Sequence, residues 1–287
     1  MAPFGAKKSH MTKNFTRIFL SLSAIVMLYA SCKKEAVKKN TPATDYKALS
    51  SQVAITFYQA ITGQYGSVDV SKGIKSPFKT NAARKGLTLN DVPSLCGFAV
   101  DTTYNYTVVS PGDPGYHFTD TTKIYYGNFH FVYTCTGGIV NGYDVTDSVS
   151  YNASSFDFRS ASSLAQHYIV KALDQTYKVV SMDGTISART NESKIGEEVN
   201  SYSITTYTLT GLKVDFSSGV ADVVSGTSTF HMHILPPTSI GVPPPYIKYI
   251  DYYGTIEYLG NHKAKLTINP GGQVYLVDLV TGVATPV

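Results

Sequence analysis

From Leu95 to the C terminus, apolar and polar residues alternate in runs broken by Gly, Pro, Asn and Asp. A period of two sends successive side chains to opposite faces of a strand, so this stretch excludes a helical bundle and demands sheet. Strands are expected over 96–109, 123–136, 139–150, 166–173, 175–182, 184–190, 199–210, 212–216, 219–235, 246–259, 263–269 and 273–280. Turn signals at Asp183-Gly184, Ser217–Gly219 and Asn269–Gly272 join neighbours as hairpins. Short links between consecutive strands make an antiparallel meander, and a sheet this long curls or closes. The expected fold is therefore mainly β: a curved open sheet or barrel with one N-terminal amphipathic helix. A two-sheet β-sandwich is the alternative. The abundance of Tyr (22) and Phe (13), with Trp at 0, suits a chain built of strands.

One hairpin can be read to the residue. If Cys96 lies opposite Cys135, the same antiparallel register closes on the loop PGDPGYHFTD by pairing Pro111 with Asp120. Carried along, it pairs Phe98 with Tyr133, Val100 with Phe131, Thr102 with Phe129 and Tyr106 with Tyr125 on an apolar face. Tyr104 falls opposite Gly127, where an aromatic covers the gap a glycine leaves. The other face pairs Asp101 with His130, Thr103 with Asn128 and Asn105 with Tyr126. A Cys96–Cys135 disulfide is expected in any oxidising compartment, where such bonds persist.

TDYKALSSQVAITFYQAITG, residues 44–63, reads as the helix, with Thr44 as N-cap and Gly63 at the C′ position. Leu49, Val53, Phe57 and Ile61 recur every four residues beside Tyr46 and Ala60, a single apolar stripe meant for a sheet or a barrel end. Residues 64–94 read as an irregular covering segment.

The N terminus has a separate logic. Lys7, Lys8, Lys13 and Arg17 precede the apolar run IFLSLSAIVMLYA, residues 18–30, which is shorter than the roughly 20 residues a membrane-spanning helix needs. A basic region, a short apolar region and the small pair Ala30-Ser31 are the parts of a secretory signal. With Cys32 following, Ala30-Ser31-Cys32 resembles the lipobox of bacterial lipoproteins, although Tyr29 stands where that family prefers Leu. The resemblance implies cleavage before Cys32 and diacylation of its thiol. Lys33, rather than Asp, follows the cysteine, which by the same resemblance favours the outer membrane. The expected organisation is a signal peptide over 1–31, a lipidated cysteine and flexible tether over 32–43, and a single β-rich domain over 44–287. In that domain the helix takes 44–63 and antiparallel strands take 95–287. Fully extended, the tether from Lys33 to Ala43 reaches about 35–40 Å.

Removing residues 1–31 takes four basic and no acidic residues from totals of 24 and 20, leaving the mature chain near neutrality. It lacks the basic excess of a nucleic-acid binder, so no nucleic-acid partner is expected. The expected partners are the membrane, through the N-terminal lipid, and an envelope protein, glycan or lipid.

Few residues point to chemistry. His231 and His233 flank Met232, which puts two imidazoles on one strand face, a geometry that suits two ligands of a zinc or copper ion. A third ligand would come from His130, His167, His262 or a carboxylate. An amphipathic strand with a histidine-bearing polar face is the plainer reading, and no metal or other cofactor is assigned. Asp101 with His130 is an acid–base pair or a simple polar pair across the hairpin. Glu192, Glu197, Glu198 and Glu257 are scattered rather than paired as glycosidase carboxylates. PPPY, residues 243–246, reads as a stiff polyproline turn. No G-x-S-x-G, Walker A, H-E-x-x-H or EF-hand sequence occurs.

TFYQAITGQYGSVDVSKGIKSPF, LCGFAVDTTYNYT and VKALDQTYKVVSMDGTI resemble stretches of Bacteroidota lipoproteins. That resemblance implies no activity, fold or site. The expected function is that of a lipid-anchored envelope protein acting as a non-catalytic binding module. The alternatives are a carrier of a hydrophobic ligand, then a hydrolase or metalloenzyme.

Overall fold

The computed structural model describes residues 45–64, 68–74, 96–110, 121–155, 158–194, 199–239 and 249–287. Cys32, the segments 1–31 and 32–43, the loop 111–120 and the PPPY turn lie outside the described residues, as does most of 64–94. Asp45–Val287 forms a compact unit. No described helix is long and apolar enough to cross a membrane.

Among the described residues eleven strands pair antiparallel in strict chain order: β1 (Ala99–Ser110), β2 (Thr121–Thr136), β3 (Ile139–Ser154), β4 (Phe158–Ala172), β5 (Val179–Lys194), β6 (Val199–Asp215), β7 (Asp222–Ser239), β8 (Ile250–Gly260), β9 (Lys263–Asn269), β10 (Gln273–Asp278) and β11 (Ala284–Pro286). They make one open sheet with β1 and β11 at its edges. The meander is as expected, and of the architectures considered the open sheet is the one formed, neither barrel nor sandwich.

The hairpin β1–β2 has the register the cysteines imply. Val100 pairs with Phe131, Thr102 with Phe129, Tyr104 with Gly127, Tyr106 with Tyr125, and Asp101 with His130. Cys96 and Cys135 are disulfide-bonded, with Cα atoms 5.7 Å apart. Val100, Phe129, Phe131 and Tyr133 are buried, while Asp101, Thr103, Asn105 and His130 are exposed.

The helix α1 (Tyr46–Ile61) starts one residue later than expected. Asp45 is its N-cap, its carboxylate accepting from the Ala48 N–H at 3.0 Å. At the other end Gln64 N–H donates to Gln59 C=O and Gly63 N–H to Ala60 C=O, the two bonds of a Schellman motif. Gly63 at φ 67° occupies the expected C′ position. Leu49, Val53, Phe57 and Ile61 are all buried, so the apolar stripe packs on the sheet. Phe57 sits between Tyr258 and Tyr207, with ring centroids at 5.1 and 5.9 Å. The Tyr207 hydroxyl donates to Val53 C=O at 2.8 Å and the Tyr58 hydroxyl to Ala221 C=O at 3.0 Å, pinning helix to sheet. Val68, Val70 and Ile74 are buried in the same core.

Two expected strand breaks are absent. Asp183-Gly184 makes no turn, and β5 runs through it with a register shift between Met182 and Gly184. Nor does the chain break at Gly211, which lies inside β6. The two glycines belong to one irregularity: the Asp183 carboxylate accepts from Gly211 N–H at 2.6 Å across the strands. A Cβ on Gly184 would lie 2.2 Å from the His167 carbonyl oxygen, so this glycine permits close strand approach rather than a hairpin. The turns at Ser217–Gly219 and Asn269–Gly272 do join strands, β6 to β7 and β9 to β10.

Candidate functional site

Strand alternation gives the sheet two unlike faces. The face under α1 carries the apolar core, and burial raises the Tyr143, Tyr168, Tyr207 and Tyr258 phenols so that they stay neutral. Between Thr56 of α1 and the sheet residues Val149, Tyr151, Leu164 and Ala188 lies a cavity of about 140 Å³. That is below the roughly 300 Å³ where pockets for small organic ligands begin.

The opposite face carries His130, His167, His231 and His233, each beside an aspartate of a neighbouring strand, whereas His262, in the β8–β9 turn, lies against Tyr58 of α1. His130 Nδ1 meets Asp101 Oδ1 at 2.6 Å, and His167 Nε2 lies 3.3 Å from Asp144 Oδ1. His231 Nε2 and His233 Nδ1 approach the same oxygen, Asp251 Oδ1, at 3.1 and 2.8 Å. His262 Nδ1 is 3.7 Å from Asp222 Oδ1, which also accepts the His262 backbone N–H. Asp144, Asp222 and Asp251 were not singled out in the sequence; the β register brings Asp144 and Asp251 to their imidazoles, and the β8–β9 turn, whose Asn261 and His262 N–H groups donate to Asp222, brings His262 to its own. The hydrogen bond from His233, with a weaker one from His231, holds the Asp251 carboxyl below the usual carboxylate range.

Asp251 is the carboxylate partner that the His231–His233 pair required, yet it engages both rings directly. Among the described residues no group of three His, Cys, Asp or Glu side chains is placed to hold a metal ion. The two candidate pairs do not converge either. Asp101–His130 lies on β1–β2 and His231–His233 on β7, five strand spacings from β2, about 24 Å along the sheet. Asp101 and His130 side chains are 76% and 48% exposed, so their pair stands in water. Glu257 forms an ion pair with Lys265 at 3.6 Å and has no carboxylate partner of the glycosidase kind among the described residues.

A different group of residues gathers where β3–β7 run on past the His231–Asp251 cluster. The register aligns Asn152, Ala161, Asn191, Tyr202 and Leu235 in one row across five strands. Arg189 lies one step to one side of this row and Arg159 one step to the other. With Tyr249 they line an open groove of about 740 Å³. The Arg189 guanidinium lies 5.1 Å over the Tyr202 ring. Tyr249 meets the Tyr202 ring edge-on at 6.3 Å and stacks on His233 at 4.5 Å, so the groove runs into the histidine cluster. Sequence reading missed these residues because no motif links them. Their one signal is parity: all fall at solvent-facing positions once the strands are in register.

Comparison with protein families, with curated proteins and with solved structures finds no match to this chain.

Proposed function

We propose that this chain is a lipid-anchored protein of the cell envelope, held through Cys32. Its folded part is a non-catalytic binding module that works through the sheet face opposite α1. The anchor rests on the basic, apolar and Ala30-Ser31-Cys32 succession, and Lys33 favours the outer membrane. The observation that carries the binding role is the groove, where arginines, amides and tyrosines meet on a rigid sheet. Catalysis has less support, because the two histidine pairs stand about 24 Å apart along the sheet. A carrier of hydrophobic ligands has less support too, since the cavity beside α1 measures about 140 Å³.

Cells producing the full chain and labelled with radioactive palmitate test the anchor. Label is expected on the wild type and absent from Cys32→Ala, with the variant leaving the membrane fraction. Label retained by the variant would refute the anchor. A native mass spectrum of the full chain, extracted without denaturation, then separates the remaining readings. A bare lipoprotein mass supports the module, and a further lipid-sized adduct supports the carrier.

A further inference from the structure

We infer that the groove binds an anionic oligosaccharide, a proposal that rests on the binding-module reading and gives it a ligand class. The first argument is charge. Among the described residues neither Arg159 nor Arg189 forms an ion pair, and none of those that line the groove is a carboxylate. Asp251 shares a cross-strand row with Arg189, but two imidazoles already occupy it. Two guanidiniums with no counter-charge among the described residues make a local positive site that selects an anion, on a domain whose residues 44–287 carry 16 basic and 19 acidic side chains.

The second argument is spacing. Arg159 and Arg189 sit on adjacent strands and two same-face steps apart, so their Cα atoms are about 14 Å from one another. A single small ion cannot engage both roots, whereas a chain with repeated acidic groups can. The third argument is the floor between them. Asn152 and Asn191 present amides that donate to and accept from hydroxyl groups, and Tyr202 and Tyr249 present ring surface to the faces of sugar rings. Beneath the groove β3 to β6 are paired on both sides, which leaves no backbone edge along them for an added peptide strand. Among the described residues the only aliphatic side chains that line the groove are Leu235 and two alanines, and the rest of its apolar lining is tyrosine ring, a surface that suits sugar faces better than an acyl chain.

The experiment is a calorimetric titration of the full chain in detergent micelles against oligogalacturonate, oligoalginate and chondroitin sulfate oligosaccharides. The comparison ligands are methyl-esterified oligogalacturonate and oligoalginate, desulfated and methyl-esterified chondroitin, a poly-glutamate peptide and vesicles containing phosphatidylglycerol. At least one acidic saccharide is expected to bind, with its esterified or desulfated form binding about tenfold more weakly or not at all. Arg159→Gln and Arg189→Gln should each weaken binding about tenfold while leaving the urea midpoint unchanged, because both side chains are exposed. Tyr249→Ala should weaken acidic and neutral saccharides alike. Equal binding of charged and uncharged saccharides, undiminished in the arginine variants, would overturn the anionic selection while the binding module stands. Binding confined to the peptide or the vesicles would overturn the saccharide and keep the module. No binding by any acidic saccharide would overturn the inference, and the palmitate and mass measurements would still report on the anchor and the carrier separately.

Discussion

Removing the Cys96–Cys135 bond by the double substitution Cys96→Ser/Cys135→Ser tests how much of the domain's stability comes from closing one loop. The cysteines are 39 residues apart in sequence. In the chain-entropy model a loop of about 40 residues loses roughly 13 cal/mol/K from the unfolded ensemble, or about 4 kcal/mol at 25 °C. With a urea slope of about 2–3 kcal/mol/M for a domain of this size, the midpoint should fall by about 1.3–2 M. The loss should also have a place. Among the described residues β1 pairs with β2 alone, so without the covalent tie it should be the first element to open. Hydrogen exchange should then show the amides of 99–110 losing protection while those of β5 and β6, in the middle of the sheet, keep theirs. A variant with an unchanged midpoint and full protection in β1 would refute the reasoning. It would mean that the strand pairing holds the hairpin closed even in the unfolded ensemble.

Phe57→Ala empties the site between Tyr207 and Tyr258 under the helix and should destabilise the domain by about 3–5 kcal/mol, read from urea unfolding. Gly184→Ala puts a methyl against the His167 carbonyl at a φ of 149° and should destabilise by more than about 1 kcal/mol; a neutral result would mean that the β4–β5 approach can relax. Asp251 has a folded-state pKa below its unfolded one, so its contribution is present above the unfolded value near 4 and is lost as pH falls through the folded value. Wild type should therefore exceed Asp251→Asn in urea midpoint at neutral pH, and the difference should vanish in acid. A difference that persists unchanged at pH 2 would sink that account.

The hairpin β1–β2 was legible because two independent marks, a cysteine pair and a loop, agree on one register, and a one-residue slip would turn Phe129 and Phe131 outward. The helix was legible because a four-residue stripe ends in a glycine that the left-handed cap needs. Asp183-Gly184 misled for a physical reason. An Asp-Gly pair signals a hairpin when the glycine supplies a turn, and a bulge when it supplies room. Which of these holds depends on the neighbouring strand, here on the closeness of the His167 carbonyl and on Gly211, which donates to Asp183 from 28 residues away. No window along the chain contains that information. The short strand β11 escaped for the opposite reason: three residues, Ala284–Pro286, are too few to show a period.

The candidate site was less legible than the fold because a sheet assembles its faces from residues far apart in sequence. His231 and His233 could be found from their spacing along one strand, but Asp251, which decides what they do, arrives from β8 by register. The groove depends wholly on such placement. Asn152, Asn191 and Tyr202 come together through β3–β4, β4–β5 and β5–β6 pairings, and a slip in any one of them would disperse the row. The irregularity at Asp183–Gly211 therefore has a functional bearing beyond stability. It sets the offset between β5 and β6, and with it whether Arg189 lies over Tyr202 or faces a different strand position. Gly184→Ala thus carries a second expectation. If it shifts that offset rather than merely straining it, the arginine–tyrosine contact is lost and saccharide binding should fall with it, although residue 184 lies far along the strand from the groove.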